Sequence, residues 1–276
     1  MQAVTNVAHV REPRESRLRA LIRFNALLFH GLATASFLEA AAPSGAIRLP
    51  RPVTAAPEIA HWVEQVWRPQ RSARARALRA YIDAVWPEFD WVGAYEDFCK
   101  LYAQCPGCAA GPSTPALEAL ACCVLESQAA LFYRAIAAGA DDPVLRELAR
   151  AAAREHCACL DVFKALFEQR ARRHPVGFLA GCRTVLATSR AARDIDVAAA
   201  FHPLAAHWYG VPTVTALGYQ EFLTRMTRLI MKHAGLRRFE RLLFSPWLNR
   251  ATPTLPLDGA RHEASGRRLR WLLKAA

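Results

Sequence analysis

No part of this sequence alternates apolar and polar residues over a useful strand length. The sequence also lacks a glycine-rich phosphate loop, a serine nucleophile motif and a zinc-protease motif, so it carries no signature of those three enzyme classes. Apolar residues recur instead at spacings of three and four, which is the period of a helix buried on one side. The sequence therefore predicts an all-α protein.

Long apolar runs and a secretory leader are missing as well. The most apolar stretch near the N-terminus, residues 26–42, is interrupted by His30 and Glu39 and is too short and too polar to span a bilayer. Residues 1–15 do not show the basic-then-apolar order of a secretory signal. We expect no membrane span and no targeting segment.

The evenly spaced, loop-borne cysteines of a disulfide-rich secreted domain are absent. The eight cysteines fall mostly in segments with helical periodicity, at positions where small apolar side chains would pack. This pattern favours a reducing compartment, and we expect the protein in the cytoplasm. Cys105 and Cys108 form a lone CxxC in a loop. Redox activity, a metal site shared with Cys157 and Cys159, and coincidence all stay open for it.

Lysine is scarce, yet the chain is strongly basic. Only four of its 36 basic residues are lysine, and the formal net charge is +12 at pH 7. Such an excess favours an anionic partner. A GC-rich coding bias is the alternative explanation for the many arginines, and no nucleic-acid-binding motif accompanies them. The five arginines from Arg68 to Arg79 predict a solvated helical face more than an anion-binding surface.

Prolines, glycines and capping residues divide the chain into helices. These signals predict helices over residues 17–42, 58–67, 70–85, 91–103, 114–138, 143–172, 176–200 and 213–234. The connection at residues 139–143 is so short that its two helices should be antiparallel neighbours. The loop at residues 104–115 is the best candidate boundary. We therefore divide the chain into an N-terminal helical region (1–110), a four-helix bundle (111–236) and a basic, proline-containing extension (237–276).

A single carboxylate within the helix predicted for residues 114–138 needs a partner. Glu126 lies among almost wholly apolar residues, and burial of an unpaired carboxylate is costly. A metal ion, a buried base or access to water could compensate the cost of burying Glu126. On the next helix His156 continues the apolar stripe, so an imidazole should face the core at about the level of Glu126. That stripe consists of Leu145, Leu148, Ala152, Cys159, Phe163 and Leu166.

These two helices, roughly residues 116–167, resemble the ferritin-like, rubrerythrin-like family of di-iron carboxylate bundles. The run from Glu126 to Ala129, with Tyr133 following, is similar to the first metal-ligand helix of rubrerythrins. Asp142 and the run from Arg154 to His156 are similar to the second. The resemblance implies a ferritin-like four-helix bundle in which one helix gives a Glu and the next a Glu-x-x-His, with the pattern repeated in a second helix pair.

The sequence departs from that pattern at both motif glutamates. Ala153 stands three residues before His156, and Ile230 stands three residues before His233. In the helix predicted for residues 176–200 the weak candidate ligand is Asp196. Carried over in this way, the family's site implies a reduced ligand set for iron, with manganese or zinc as alternatives. That set is Glu126, His156, Asp196 and His233.

Two functions are compatible with these residues. In the first, the protein is a metal-dependent oxidoreductase with an atypical or mononuclear iron site. Tyr133 then contacts the metal ligands without binding the metal itself. In the second, it is a ferritin-like scaffold that has lost its metal, pairs Glu126 with His156 directly, and binds an anionic partner through its basic surface. Substrate and oligomeric state, a homodimer included, are left open by the sequence.

Overall fold

The computed structural model describes residues 22–42, 57–105 and 114–234. These ranges are almost wholly helical and contain no β-strand, which confirms the all-α class. The parts of the predicted helices and loops at residues 17–21, 43–56, 106–113 and 235–276, Cys108 among them, lie outside the described residues. The helices are α1 (Ala26–Ala41), α2 (Pro57–Trp62), α3 (Arg68–Val85), α4 (Trp91–Gln104), α5 (Pro115–Gly139), α6 (Pro143–Arg173), α7 (Phe178–Ala191), α8 (Ala198–Phe201) and α9 (Tyr219–Ala234).

Helices α2 and α3 are continuous, whereas the sequence predicted two separate helices. A π-helical turn, Val63–Trp67, joins them directly before Pro69. A proline ring clashes with the carbonyl four residues earlier in a regular α-helix, and a wider turn at that point relieves the clash. The proline therefore widens the helix without ending it.

Helices α5 and α6 are antiparallel neighbours, as predicted, and a side chain caps the start of each. Thr114 accepts a hydrogen bond from the amide of Leu117, and Asp142 accepts one from the amide of Val144 at 2.9 Å. Pro143 occupies the first turn of α6, where its missing N–H costs nothing. The predicted apolar stripe of α6 is confirmed as buried at every position except the partly exposed Leu148.

The two helices after α6 differ from their predicted bounds. The predicted helix 176–200 begins at Phe178 and contains a second π-helical segment, Ala192–Val197. The helix predicted from Thr213 starts only at Tyr219, because Pro212–Val214 forms a separate 3₁₀ turn. Spacing alone does not distinguish such a turn from the first turn of a helix.

Two hydrophobic clusters form the core. One packs α1, α3, α4, α6 and α9 around Phe29, Phe37 and Trp86, and the other packs α5 and α6 around Leu120 and Phe163. Each cluster contains residues from both sides of the loop at 104–115. Helix α1 therefore lies against the helices of the predicted bundle, while the specific ferritin-like arrangement of four helices stays a prediction.

Helix α5 is long and apolar enough to cross a membrane by length and composition alone. Its most apolar window of 18 residues has a mean hydropathy of 1.3, but 72% of that window is buried inside the protein. A core helix meets the same two criteria. This burial agrees with the expectation of no membrane span.

Candidate functional site

Helices α5 and α6 place Glu126 and His156 opposite each other in the core. The Nδ1 of His156 lies 2.6 Å from Oε2 of Glu126. His156 is fully buried and Glu126 is only 3% exposed, so neither side chain reaches water. The predicted pairing of a buried carboxylate with a buried imidazole is confirmed.

The second carboxylate of the site comes from α1 and was not predicted from the sequence. Glu39 is 3% exposed, and its Oε1 lies 2.9 Å from Nε2 of His156. The signal was present, because Glu39 interrupts the apolar run at residues 26–42 as Glu126 interrupts α5. Burial of an unpaired charge is as costly for Glu39 as for Glu126, so the same reasoning predicts a partner for Glu39.

Two arginines from α3 turn inward, which corrects the prediction of a solvated arginine face. Arg74 is 6% exposed and lies 3.2 Å from Oε2 of Glu39 and 2.5 Å from Oε2 of Glu155. Arg71 lies 3.7 Å from both Glu39 and Glu126. The three-residue spacing puts these two guanidiniums on the inner side of α3, where the carboxylates on α1 and α5 need counter-charges.

Two aromatic side chains complete the enclosure. The indole N–H of Trp67 donates to Oε1 of Glu126 at 3.1 Å. The ring of Tyr133 stacks on His156 with centroids 5.4 Å apart, and its hydroxyl donates to Oε1 of Glu39 at 3.3 Å. Both aromatic groups donate hydrogen bonds to the carboxylates and exclude water from them. Hydrogen bonds are stronger in such a water-free environment. We call the whole set the ion-pair cluster: Glu39, Trp67, Arg71, Arg74, Glu126, Tyr133, Glu155 and His156.

Burial alone would favour the neutral forms of the central groups, yet the surrounding charges outweigh it. Burial opposes the ionised form of Glu126, but His156, Arg71 and the indole of Trp67 together lower its pKa. The pKa of Glu39 is also held far below its ordinary value in spite of burial, chiefly by Arg71 and His156. Burial of the His156 imidazole is outweighed by Glu39 and Glu126, which raise its pKa.

The charges of the ion-pair cluster balance without a metal ion. Its three carboxylates face two guanidiniums and one imidazolium, and every one of these groups has an opposite charge within 4.0 Å. A buried divalent cation would disturb that balance unless protons or arginines left. The carboxylates are Glu39, Glu126 and Glu155, and the cations are Arg71, Arg74 and His156.

The donor atoms of the cluster do not fit a metal site. The two ring nitrogens of His156 point from different edges of the imidazole, and one metal ion bonds to only one of them. A metal in front of Nδ1 would meet Glu126, and one in front of Nε2 would meet Glu39. In the part of the chain that the structure describes, no group of three or more His, Cys, Asp or Glu side chains is placed to hold a metal ion.

The other two predicted ligands lie elsewhere. Asp196 accepts a hydrogen bond from the hydroxyl of Tyr102 on α4 at 2.9 Å, and burial raises its pKa to about 6. His233 lies beside Gly139 at the end of α5. Gly139 follows Glu126 by 13 residues, which is about 20 Å along a helix. The predicted convergence of His233 and Asp196 on Glu126 and His156 is therefore corrected.

The cysteines of the described ranges show no redox pair. Seven cysteines there, Cys105 among them, are free thiols. Burial raises the pKa of Cys122 and Cys123, which makes these thiols poor nucleophiles. The redox question for the CxxC involves Cys108, which lies outside the described residues.

Comparison of the chain with known protein families, with curated proteins and with solved structures finds no match.

Proposed function

We propose that this protein is a non-catalytic helical scaffold that needs no metal and that binds an anionic partner. One observation carries the first part: both ring nitrogens of His156 are hydrogen-bonded to carboxylates. Arg71 and Arg74 provide the remaining positive charge that a metal would otherwise supply. A ferritin-like ancestry would explain why a Glu and a His still face each other on α5 and α6.

The competing function is an iron-dependent oxidoreductase. Its support is the resemblance of residues 116–167 to rubrerythrin-like helices, and Glu39 adds one carboxylate to Glu126 and His156, the two predicted ligands that lie together. Iron binding would require a carboxylate to leave His156 and at least one guanidinium to leave Glu39. The metal-free scaffold needs neither change, so the geometry favours it.

Metal analysis separates the two functions. We expect full-length protein, purified without a histidine tag after iron supplementation, to contain less than about a tenth of an equivalent of any transition metal. A chelator should leave its melting temperature unchanged, because no ligand stabilises the folded state. His156→Gln is the diagnostic variant. Iron near one equivalent in the wild type that disappears in His156→Gln would refute the scaffold and support the enzyme.

The positive charge lies mainly outside the described helices. The described residues carry a net charge of +2, and the other segments carry the remaining +10. The extension at 237–276 alone has nine basic and three acidic residues. Such a segment favours an extended polyanion as the partner, and we place the interaction in the cytoplasm.

Binding to a polyanion should depend on salt and on this extension. We expect the full chain to bind heparin with an affinity that falls steeply as salt rises, because bound counterions are released. Replacing Arg267, Arg268 and Arg270 by Gln should weaken binding and flatten the salt dependence. The matched control replaces three arginines of the helical region, Arg76, Arg183 and Arg228. Equal losses in both variants would refute a role for the extension.

A further inference from the structure

A groove is lined by residues from the end of α5, from α6 and from the last turn of α9. Its volume is about 910 Å³, within the usual size range of small-molecule pockets. Small side chains line its floor, so ligand atoms can approach the helices closely. These are Ala137, Ala138, Ala153 and Ala158. We call it the arginine groove, after the residues on its walls.

Three guanidiniums and one imidazole surround this floor. Arg134 comes from α5, Arg150 and Arg154 from successive turns of α6, and His233 from α9. Of the described residues that line the groove, Asp161 alone carries a carboxylate. The walls therefore present a positive field to whatever occupies the space.

The arginines of the groove retain donors for a ligand. Within the described residues, no carboxylate lies within 4.0 Å of Arg154. Among the described residues, Arg150 pairs with Glu147 alone, three residues earlier on the exposed surface, and such a pair is weak enough to exchange. Arg134 donates one hydrogen bond, at 3.1 Å, to Sγ of Cys157, out of the five N–H donors of a guanidinium.

We propose that the arginine groove binds a small phosphorylated molecule. The forked donors of arginine match two phosphate oxygens at once, and guanidiniums from two helices can hold one phosphate group from different sides. The alanine floor leaves room for the apolar body of such a molecule. A metal ion would not suit these walls, because three guanidiniums repel it and burial raises the pKa of the Cys157 thiol.

This proposal goes beyond polyanion binding by the extension, and different residues test it. The probe is inorganic pyrophosphate, titrated into the full-length protein by calorimetry at low salt. We expect saturable binding at one site per chain. The double variant Arg154→Gln/His233→Gln should weaken binding about tenfold or more, because a guanidinium and a ring N–H donor to the phosphate are lost. Circular dichroism of each variant verifies the fold.

Two further variants make the test specific. Asp161→Asn should strengthen pyrophosphate binding, because it removes the one negative charge of the groove. Arg76→Gln is the control: it removes one positive charge from an exposed position on α3, outside the groove. It should leave the affinity for pyrophosphate unchanged. Absence of binding at millimolar pyrophosphate, or equal affinity in the wild type and the double variant, would overturn the proposal. Heparin binding that persists in the double variant would leave the role of the extension intact.

Discussion

Two buried histidines lie in opposite electrostatic surroundings. His156 stands between Glu39 and Glu126, which raise its pKa although burial alone would lower it. His30 is also buried, but its ring stacks on Phe201 in an apolar environment, and burial lowers its pKa to about 4. The first is held in the charged form and the second in the neutral form.

The two histidines should therefore affect stability with opposite dependence on pH. A raised pKa in the folded state gives stabilisation that is complete below about pH 6.5 and is lost as pH rises through the folded-state pKa. The difference in unfolding free energy between wild type and His156→Gln should thus shrink as the pH rises from about 6 to about 9. Urea unfolding of both proteins at several pH values measures it.

His30→Gln is the matched comparison. Its lowered pKa gives stabilisation that is present above about pH 6.5 and is lost as pH falls towards 4. Relative to this variant, the wild type should lose about 2 kcal/mol between roughly pH 7.5 and pH 5. Parallel trends for the two variants would show that His156 is not held as an imidazolium by Glu39 and Glu126.

At the residue scale, the sequence predicted the pair but not its surroundings. Glu126 and His156 were found because each breaks an apolar stripe, and helical period then places them on facing sides. Glu39 breaks an apolar run in the same way. Arg71 and Arg74, in contrast, belong to a run of arginines in which nothing marks the inward-facing members. Their orientation depends on how α3 packs against α1, which helical period alone does not determine.

At the scale of elements, the start of α6 is fixed by one side chain with two roles. Asp142 caps α6 through the amide of Val144, and it also accepts a hydrogen bond at 2.7 Å from the hydroxyl of Tyr81 on α3. The residue is 3% exposed. Asp142 therefore ties the short connection between α5 and α6 to a third helix.

Removing this side chain should cost more than removing an ordinary helix cap. We expect Asp142→Ala to lower the unfolding free energy by about 2 to 4 kcal/mol, since it removes both the helix cap and the charged acceptor of the hydrogen bond that Tyr81 donates. Thr114→Ala, which removes only the cap of α5, should cost about 1 kcal/mol. Urea denaturation measures both. Equal losses would show that the bond to Tyr81 contributes nothing, and Tyr81→Phe gives that contribution separately.

Element boundaries were predictable where a cap marks them and not elsewhere. The starts predicted at residues 114 and 143 lie within one residue of the observed starts, where Thr114 and Asp142 bond the first free amides. The π-helical segments were missed. They add one residue per turn without changing composition, so no local signal announces them. The second one contains Asp196, whose carboxylate accepts a hydrogen bond from Tyr102.

At the scale of the whole molecule, the ion-pair cluster joins helices from both sides of the loop at 104–115. Residues before this loop supply Glu39, Arg71 and Arg74, and residues after it supply Glu126 and His156. Both hydrophobic clusters cross the same loop. The division into regions 1–110 and 111–236 is therefore a division of the sequence whose two parts share one interior.

The helices after the loop should consequently not fold alone. A fragment of residues 111–276 would leave Glu126 and His156 without their arginines and would expose the apolar faces of α5 and α6 to water, which costs stability on both counts. We expect this fragment to unfold without a cooperative transition and to bind a hydrophobic dye.

Four of the seven tryptophans lie before residue 110, so fluorescence follows mainly the first region, whereas circular dichroism follows all helices. In the full chain the two signals should change together in urea, because the regions unfold as one unit. A fragment that unfolds cooperatively, or two separate transitions in the full chain, would instead establish an independent bundle.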